Sequence, residues 1–361
     1  MDEKIAAPSA AAVAVKKKID SGFFWKGLTI ALTSGLLYGF YSAFISLGMG
    51  TGIWEYWYGD DSGLSFFVVM FLLGTLGAAI NDCISAVWGL GITAAQGKLG
   101  DFKRTFNTKP GHMMIIAALA GGPIAGTAYV VALIAGGPIV APISALCPAI
   151  GAILSRFLFK QKLNARMLTG IAVCLIASFL IGGFSVSEEA HPSMFLGVMI
   201  ALIAAFGWGL EGCVAGYGTS LIDYQIGITI RQCVSGGSNL VILLPIFCIA
   251  AGNIGMWGSF LGQALTSGLS VVFFIFSGFF SLYTFSLWYK GNSMCGTALG
   301  MSCNGIYSFC VPLVCWIIIG VIGGQEGWNL APIAWFAAVL MAFGIFLIAQ
   351  NPLDLFKKEV A

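Results

Sequence analysis

The stretch GGPIAGTAYVVALIAGGPIVAPISALCPAIGAILSRFLFKQKLNARMLTGIAVCLIASFLIGG, from Gly121 to Gly183, decides the fold because it holds three apolar blocks in succession. The run Gly136-Gly137-Pro138 separates the first block from the second, and Lys160 to Arg166 separates the second from the third. Each block is about 18 to 24 residues long, which matches the thickness of a bilayer for a helix that rises about 1.5 Å per residue. The stretch therefore predicts three consecutive transmembrane helices.

A related order of blocks follows Phe273. One block ends in SLYTFSLWYKGN, the next begins SMCGTALGMSCNGIYSFCVPLVCW, a polar elbow GGQEGWNLAP follows, and IAWFAAVLMAFGIFLIAQ closes the unit. At one common offset Tyr129 aligns with Tyr283, and Gly151 aligns with Gly305. This recurrence predicts a duplicated membrane unit.

The composition of the whole chain indicates a membrane protein. Of 361 residues, 58% are hydrophobic and 9% are charged, and the mean hydropathy is +0.94. A soluble domain carries roughly 25% charged residues. The ten cysteines lie inside apolar blocks with no spacing typical of a zinc site, so they are interpreted as packing residues.

Ten apolar blocks can be delimited, and the basic residues between them give their orientation. With the N-terminus inside, all seventeen Lys and Arg residues fall on or near the inner face. The charged residues of the outer loops are all acidic. This asymmetry follows the positive-inside rule and predicts an even number of helices with both termini cytoplasmic. The blocks lie near residues 26–49, 64–95, 112–135, 138–158, 165–184, 194–218, 226–252, 264–289, 293–322 and 331–350.

Five helices in each half is an odd number, so the two copies must have opposite orientations in the membrane. The predicted fold class is therefore an all-α integral membrane protein with ten transmembrane helices arranged as two inverted five-helix repeats. The N-terminal residues have their apolar part before the lysines, the reverse of a signal peptide, and are read as a retained arm. The predicted segments are a cytoplasmic arm (1–25), a first repeat (26–184), a second repeat (194–350) and a cytoplasmic tail (351–361).

The closing segment of each half resembles the drug/metabolite transporter superfamily in its EamA-like form. The similarity lies in a Pro or Gly inside the fourth helix of each half (Pro148 and Gly305), a short polar elbow, and a final helix with spaced glycines. The acidic residue usual in each elbow is matched by Glu326 in the second half, whereas the first half has Lys160-Gln161-Lys162. The resemblance implies a transporter with ten helices in two inverted halves.

A second, weaker resemblance concerns the first helix and the loop after it. The stretches Phe40-Tyr41-Ser42-Ala43-Phe44 and Trp54-Glu55-Tyr56-Trp57 look like the sugar-transporting branch that includes the L-rhamnose–proton symporter. The basic residues usual between these two pieces are absent here. This resemblance implies a sugar as the substrate class.

Two carboxylates fall within apolar blocks. Glu211 lies in FGWGLEGCVAGYG, and Asp82 follows about eighteen apolar residues of the second block. An ionisable group in hydrocarbon is costly and usually faces a cavity or a partner. Both are candidates for proton coupling. The alternative for Glu211 is a structural role near the inner end of its helix, solvated or paired with Arg231, and the alternative for Asp82 is a place at the inner interface.

Aromatic and amide side chains at bilayer depth are candidates for substrate binding. Aromatic rings stack on sugar faces and attract quaternary amines, although an interfacial belt or helix packing uses the same residues. Tyr38, Tyr41 and Trp208 occupy matching places in the two halves. The predicted substrate-binding residues are Tyr38, Tyr41, Trp208, Glu211, Tyr283 and Asn304, placed at mid-membrane between the two halves.

The leading functional hypothesis is a secondary active transporter of the cytoplasmic membrane that moves a small polar metabolite, a sugar or similar hydroxylated solute, with protons. Amino acids or quaternary amines form the alternative substrate class. A membrane-embedded enzyme or a channel would show paired acids, a histidine cluster or a charged filter, and the sequence has none of these patterns. The predicted partners are a small-molecule substrate, the lipid bilayer and protons; no nucleic acid and no cofactor are expected, and monomer and homodimer both stay open.

The first testable prediction concerns topology. Single cysteines placed in residues 50–63 or 185–193 should react with a membrane-impermeant maleimide added outside intact cells, because these loops carry no basic residue. Cysteines placed near Lys103 should react only after the membrane is permeabilised. Labelling of either loop from the inside alone would contradict the orientation.

Overall fold

Helices form the secondary structure of the described part of the chain. The computed structural model describes residues 10–158, 164–185, 193–218, 221–295, 301 and 303–349, and no strand is assigned in these ranges. The chain is therefore all-α within them, as the sequence predicts.

The first half of the chain contains nine α-helices joined by short turns and by helical segments of other pitch. In chain order they are α1 (Ala10–Met49), α2 (Ile53–Tyr58), a 3-10 turn (Asp60–Ser62), a π-helical turn (Val68–Leu72) leading into α3 (Leu73–Ala95), α4 (Leu99–Thr105), α5 (Lys109–Leu119), a π-helical turn (Ala120–Gly126), α6 (Thr127–Gly136), a 3-10 turn (Gly137–Ile139), α7 (Val140–Ser144), α8 (Cys147–Leu158) and α9 (Ala165–Ser185).

The second half follows a similar order. Its elements are α10 (Met194–Gly218), α11 (Tyr224–Ser238), a π-helical turn (Asn239–Leu243), α12 (Leu244–Ala250), α13 (Gly255–Thr266), α14 (Gly268–Cys295), α15 (Tyr307–Cys315), a π-helical turn (Trp316–Ile322) and α16 (Pro332–Ala349).

Six helical stretches in the described ranges are long and apolar enough to cross a membrane, and three shorter ones are apolar. The six are Trp25–Met49, Val68–Ala95, Lys109–Ser144, Met194–Ala215, Tyr224–Ala250 and Gly268–Met294, and the shorter ones are Ala165–Leu180, Tyr307–Ile322 and Pro332–Ile348. The chain is therefore a membrane-embedded helical protein.

Local sequence explains where two of the central helices begin. Thr108 caps α5 by accepting a hydrogen bond from the backbone N–H of Gly111, and Pro110 occupies the first turn, where its missing N–H has no cost. Asp223 caps α11 by accepting from the backbone N–H groups of Gln225 and Ile226. Both caps satisfy backbone N–H groups in the first turn of the helix that follows.

The 36-residue stretch Lys109–Ser144 reverses direction at Gly137. The φ angle of Gly137 is +64°, in a region that side chains with a Cβ rarely adopt, and Pro138 follows it. Two glycines of α10 show the direction of the neighbouring segments. Gly197 lies beside Gly136 at the end of α6, and Gly209 lies beside Cys147 at the start of α8. The segment before the turn therefore runs antiparallel to α10, and α8 runs parallel to it, as the Gly-Gly-Pro break predicts.

Two pairs of helices pack closely and antiparallel through small residues. Along α3 and α11, Thr93 bonds to Thr229 (2.9 Å), Ser85 contacts Gln232, and Asp82 contacts Ser235. Along α9 and α16, a Cβ at Gly170 would lie 2.7 Å from the carbonyl oxygen of Gly344. Small residues at such crossings let two backbones approach.

Small residues also pack closely where α1 meets α14 and where α5–α6 meets α10, which are contacts between the two halves of the chain. Ser270 donates to the Gly48 carbonyl (2.7 Å), whereas a Cβ at Gly291 would meet Ala31, so α1 and α14 run antiparallel. The core of the molecule lies between these helices and α3, α11 and α15.

The predicted helix blocks coincide with helical segments wherever the chain is described, and further helical residues lie outside the blocks in α2, α4, α13 and the first part of α1. α1 begins at Ala10, so residues 10–25 of the predicted arm are helical. α13 is a separate helix between the predicted blocks 226–252 and 264–289. The tail 351–361, the elbow residues Lys160, Gln161 and Lys162, and most of the loop 185–193 lie outside the described residues.

The close crossing of α3 and α11 gives a stability prediction. A Cβ at Gly236 would lie 2.8 Å from the backbone nitrogen of Cys83, whereas a Cβ at the neighbouring Gly237 would have nothing within 4 Å. We expect Gly236→Val to destabilise the protein by about 1–3 kcal/mol because it forces the helices apart. Gly237→Val is the matched control, and thermal unfolding in detergent measures both. Equal melting temperatures for the two variants would contradict this packing.

Candidate functional site

A buried ion pair lies where α10, α11 and the segment between α5 and α6 meet. Arg231 Nε donates to Glu211 Oε1 at 3.0 Å, and their side chains are 1% and 0% exposed. Tyr289 Oη donates to the same carboxylate oxygen at 2.7 Å. Glu211 Oε2 has no hydrogen-bond partner among the described residues. One carboxylate oxygen of the pair is therefore buried against Gly121 without a donor among the described residues.

The backbone around Gly121 is shaped to hold this pair. A Cβ at Gly121 would overlap the Glu211 carboxylate, so only glycine leaves room for it. Gly121 belongs to the π-helical turn that contains Pro123, and both features interrupt the regular helical hydrogen bonds. Its carbonyl oxygen accepts from Arg231 Nη2 (3.0 Å) and from Trp208 Nε1 (3.0 Å). One carbonyl therefore joins the guanidinium to the indole ring.

Arg231 is fully occupied by contacts in the protein interior. Nη1 donates to Gln232 Oε1 at 2.7 Å, and the guanidinium carbon lies 3.8 Å from the centre of the Phe285 ring. A guanidinium over an aromatic face gains electrostatic energy when water is excluded. Gln232 then donates to Ser85 Oγ (2.5 Å) and Ser281 Oγ (3.3 Å), which extends the network to α3 and α14.

Asp82 lies at the other end of this network without a cation in contact with it among the described residues. Asn81 donates to Oδ1 at 3.0 Å, and Ser235 and Asn239 donate to Oδ2. Ser235 is one helical turn from Arg231. The buried network therefore carries two carboxylates and one guanidinium, and electrical neutrality requires one further positive charge.

Aromatic rings form a cluster beside the ion pair, which we call the aromatic cluster. Tyr38 is its centre, stacked on Tyr307 with ring centroids 4.5 Å apart. Four other rings meet Tyr38 edge-on at 5.2 to 5.9 Å, namely those of Tyr41, Tyr129, Trp208 and Phe285. The Tyr38 hydroxyl is buried and has no partner in the described chain.

Hydroxyl groups hold two of these rings across helices. Tyr129 Oη lies 2.7 Å from Ser42 Oγ, and Tyr307 Oη lies 3.2 Å from Ser144 Oγ. The cluster therefore links α1, α6, α7, α10, α14 and α15, so a displacement of one helix group against another must rearrange these rings.

A cavity of about 430 Å³ lies outside the aromatic cluster, at the face predicted to be extracellular. Ser46 and Val130 line it. Ser46 is one turn from Ser42, and Val130 is next to Tyr129, so the hydrogen-bonded pair Ser42–Tyr129 lies beneath the cavity.

An ion pair joins the end of α3 to the start of α11, on the side of the molecule away from the cavity. Lys98 Nζ lies 2.8 Å from Asp223 Oδ2, and both side chains are about one-third exposed. Burial acts to raise the pKa of Asp223, but the hydrogen bond from Lys98, the two backbone N–H groups and the lysine charge outweigh it and lower this pKa. The pair therefore contributes to stability at neutral pH, and the contribution is lost as pH falls through the lowered pKa.

The structure brings most of the predicted site residues together. Tyr38, Tyr41 and Trp208 belong to the aromatic cluster, and Glu211 is joined to Trp208 through the Gly121 carbonyl and Arg231. Asp82 lies in the same network, linked to Gln232 through Asn81 and Ser281.

Two predicted residues lie away from the centre. Asn304 donates to Ser34 Oγ at 2.8 Å, one turn from Tyr38 and Tyr307. Tyr283 packs on Phe279, with ring centroids 4.7 Å apart, on the side of α14 that also contacts Trp88. The structure therefore does not bring Tyr283 to the aromatic cluster.

The alternative predicted for Glu211, a pair with Arg231, is what the structure shows, although both side chains are fully buried and not solvated near the inner end of a helix. α11 begins at Tyr224, so Arg231 lies about two turns inside the helix. Tyr289, Tyr129, Phe285 and Gln232 were also absent from the predicted site. The available signal was the run Arg231-Gln232 in an apolar block, since a charged residue at bilayer depth implies a partner.

Comparisons with known proteins give a likeness of fold. No family model matches the chain, and no curated protein matches it either. One solved structure, described as "Crystal structure of protein", shares the fold with a TM-score of 0.53 and 17% sequence identity, over 91% of this chain and 99% of the other. At this identity the similarity concerns the fold alone.

The charge count predicts an asymmetry between the two members of the ion pair. Arg231→Met leaves Glu211 and Asp82 buried without a cation and should destabilise the protein by about 3–5 kcal/mol. Glu211→Gln leaves the guanidinium with Asp82 as its counter-charge and should cost less. The double variant should recover part of the loss, and thermal unfolding of purified protein measures all three. A larger loss for Glu211→Gln than for Arg231→Met would contradict the charge count.

Proposed function

We propose that the protein is a secondary active transporter that moves a small polar metabolite across the cytoplasmic membrane and couples this movement to protons. The observation that carries the proposal is the buried set of Asp82, Glu211 and Arg231, which has one acidic group in excess. A group of this kind in a membrane interior binds a proton or another cation to become neutral. Reversible neutralisation is what a coupling site needs.

We propose ten membrane crossings in two inverted halves, residues 26–184 and 194–350, as in the drug/metabolite transporter superfamily that the sequence resembles. Counterpart helices support this arrangement, since α3 and α11 are the second of each half and run antiparallel. The fifth helices, α9 and α16, also run antiparallel. Opposite directions of counterparts are what a two-fold axis in the membrane plane requires.

The pairing of the other helices supports the same symmetry. The first helix of one half packs along the third helix of the other, in both directions: α1 with α14, and α10 with α5–α6. The first helix of each half also packs on the fourth helix of the other half: α1 with α15, and α10 with α8. The exchange of halves therefore leaves the pattern of contacts unchanged.

The cavity side and the opposite side of the molecule differ in a way that supports alternating access. The cavity opens toward the predicted outer face and ends at the Ser42–Tyr129 pair. At the other end, the Lys98–Asp223 ion pair holds α3 against α11. We infer that this conformer is open outward and closed inward, with the aromatic cluster as the barrier that rearranges during transport.

Two substrate classes fit the site. Aromatic rings beside hydroxyl and amide groups suit a sugar or a similar hydroxylated solute. An amino acid is favoured by a specific observation, because Glu211 Oε2 is a buried acceptor with no donor in the described chain. The ammonium group of an amino acid would donate to this oxygen, and its carboxylate would bind Arg231 in exchange. A quaternary amine has no N–H to donate, so the carboxylate charge and the aromatic rings would hold it.

Coupling is assigned to Asp82 in preference to Glu211. Glu211 has a cation in direct contact at 3.0 Å, whereas the donors to Asp82 are neutral. A proton on Asp82 leaves the Glu211–Arg231 pair balanced, and its release leaves an excess negative charge in the core. Gain or loss of a proton at Asp82 therefore changes the net charge of the buried network while the contact between Glu211 and Arg231 stays in place.

The test is transport by purified protein in proteoliposomes, first with a panel of sugars, amino acids and quaternary amines. With the solute that is taken up, we expect a proton gradient to drive accumulation by the natural protein. Asp82→Asn should abolish accumulation against a gradient and keep exchange of labelled for unlabelled solute, because it mimics a permanently neutral carboxyl. Glu211→Gln should impair both activities, since it also removes the partner of Arg231.

Asp101→Asn provides the matched control, because Asp101 is an exposed carboxylate paired with Arg104 on α4. This variant should transport normally. Normal gradient-driven accumulation by Asp82→Asn would refute the coupling role. Absence of uptake for every member of the panel, together with proton-independent chemistry on a lipid substrate, would favour a membrane-embedded enzyme instead.

A further inference from the structure

Ring contacts identify which residues of α6 and α14 correspond under the proposed two-fold relation between the halves. The ring of Tyr129 on α6 lies 5.5 Å from that of Tyr38 and 5.3 Å from that of Trp208. The ring of Phe285 on α14 meets the same two rings, at 5.9 and 6.5 Å. Because the two-fold relation exchanges Tyr38 and Trp208, Tyr129 and Phe285 are counterparts.

A second contact supports this correspondence independently. A Cβ at Gly35 of α1 would lie 2.7 Å from the carbonyl oxygen of Asn304, just before α15. A Cβ at Gly209 of α10 would lie 3.1 Å from the carbonyl oxygen of Cys147, at the start of α8. The first helix of each half thus packs through a glycine on the beginning of the fourth helix of the other half. Cys147 and Asn304 are separated along the chain by nearly the same length as Tyr129 and Phe285.

The correspondence assigns a counterpart to the part of the outer cavity wall that α6 supplies. Three cavity residues follow Tyr129 on this helix, namely Val130, Leu133 and Ile134. Counted in the same way from Phe285, the counterparts on α14 are Ser286, Tyr289 and Lys290. Ser286 and Tyr289 are buried and Lys290 is partly buried. The end of α14 that is predicted to be cytoplasmic is therefore closed where the corresponding end of α6 is open.

A cation–aromatic contact fills the place that corresponds to the cavity. Another part of the cavity wall, Val69, lies near the beginning of the second helix of the first half. The second helix of the other half, α11, begins at Tyr224. Lys290 Nζ lies 4.9 Å from the centre of the Tyr224 ring, and the preceding residue, Asp223, pairs with Lys98. The side chains thus hold α14, α11 and α3 together at this end.

We propose that Ser286, Tyr289 and Lys290 line an inner vestibule, the counterpart of the outer cavity, and that the contact of Lys290 with Tyr224 seals it in the present conformer. This vestibule presupposes the proposed transporter and belongs to its inward-facing state. Its opening brings water to the bond between Tyr289 and Glu211. The two sides of the solute path therefore differ in charge, because no charged residue lines the outer cavity.

The test measures how fast an added cysteine reacts with a membrane-impermeant methanethiosulfonate in vesicles of either orientation, read at that cysteine by peptide mass spectrometry. Ser286→Cys reports on the inner vestibule, and Ser46→Cys reports on the outer cavity. Ser270→Cys is the control, because Ser270 is also buried on α14 but lies beside Gly48 near the other end. We expect Ser286→Cys to react from the inside alone, Ser46→Cys from the outside alone, and Ser270→Cys from neither side.

Variants of the seal are then combined with these cysteines. Tyr224→Leu removes the ring beneath Lys290 and should raise the inside rate at Ser286→Cys about two- to fivefold, the size of a partly exposed cation–π contact. Tyr224→Phe keeps the ring and should leave this rate unchanged. Lys290→Met should act like Tyr224→Leu, and the double variant should add nothing further because both changes remove one contact. The outside rate at Ser46→Cys should rise in none of them.

Several outcomes would overturn this assignment. An inside rate that Tyr224→Leu leaves unchanged, or that Tyr224→Phe raises equally, would refute the seal. Reaction of Ser286→Cys from the outside, or of Ser270→Cys from the inside, would refute the vestibule, as would a joint rise at Ser286→Cys and Ser46→Cys. Solute uptake with unchanged labelling would refute the vestibule and leave the transporter in place, whereas the expected labelling without uptake of any solute would refute only the transporter.

Discussion

The structure depends on the need to neutralise charge in a medium with little water. Glu211 and Arg231 are both fully buried, and each would be very costly alone. The protein meets this need with a glycine that makes room for the carboxylate, a backbone carbonyl that binds the guanidinium, and an aromatic ring beneath it. These contacts bring α10, α11, α14 and the bend at Gly121 to one point, so the central packing and the charge arrangement are a single feature.

Small residues give the helices the proximity that this network requires. In lipid there is little hydrophobic gain from bringing helices together, so close backbone contact and interhelical hydrogen bonds supply the attraction. Gly236 against Cys83, Gly170 against Gly344 and Gly197 against Gly136 all lie at crossings between the two halves. Hydroxyl and amide groups then reach across these crossings, as Thr93 does to Thr229 and Thr127 to Asn239. The interface is therefore tight and polar, with several bonds that can exchange partners.

The interior is divided into an apolar, an aromatic and a charged zone from the outer cavity to the ion pair. The outer cavity is lined without charge, the aromatic cluster follows, and the charged groups lie beyond it. A solute that reaches the ion pair from the cavity must pass the rings of Tyr38 and Tyr129. One atom without a partner among the described residues lies in each zone: Tyr58 Oη beside the cavity, Tyr38 Oη in the aromatic cluster and Glu211 Oε2 at the ion pair. Each zone thus has hydrogen-bonding capacity that the described chain does not use.

The sequence by itself determined the membrane class, the placement of the helical blocks and the break at Gly137, because hydropathy, block length and glycine–proline chemistry are local properties. It also singled out Glu211 and Asp82, since a carboxylate in an apolar block is conspicuous without any neighbours. The sequence left the pairing of Glu211 with Arg231 as one of two alternatives, and the tertiary structure decided in its favour. The tertiary structure alone showed that Tyr289 and Phe285, not Tyr283, face the centre on α14. The reason is physical: lipid-facing and core-facing sides of a membrane helix are both apolar, so periodicity does not reveal which face is buried.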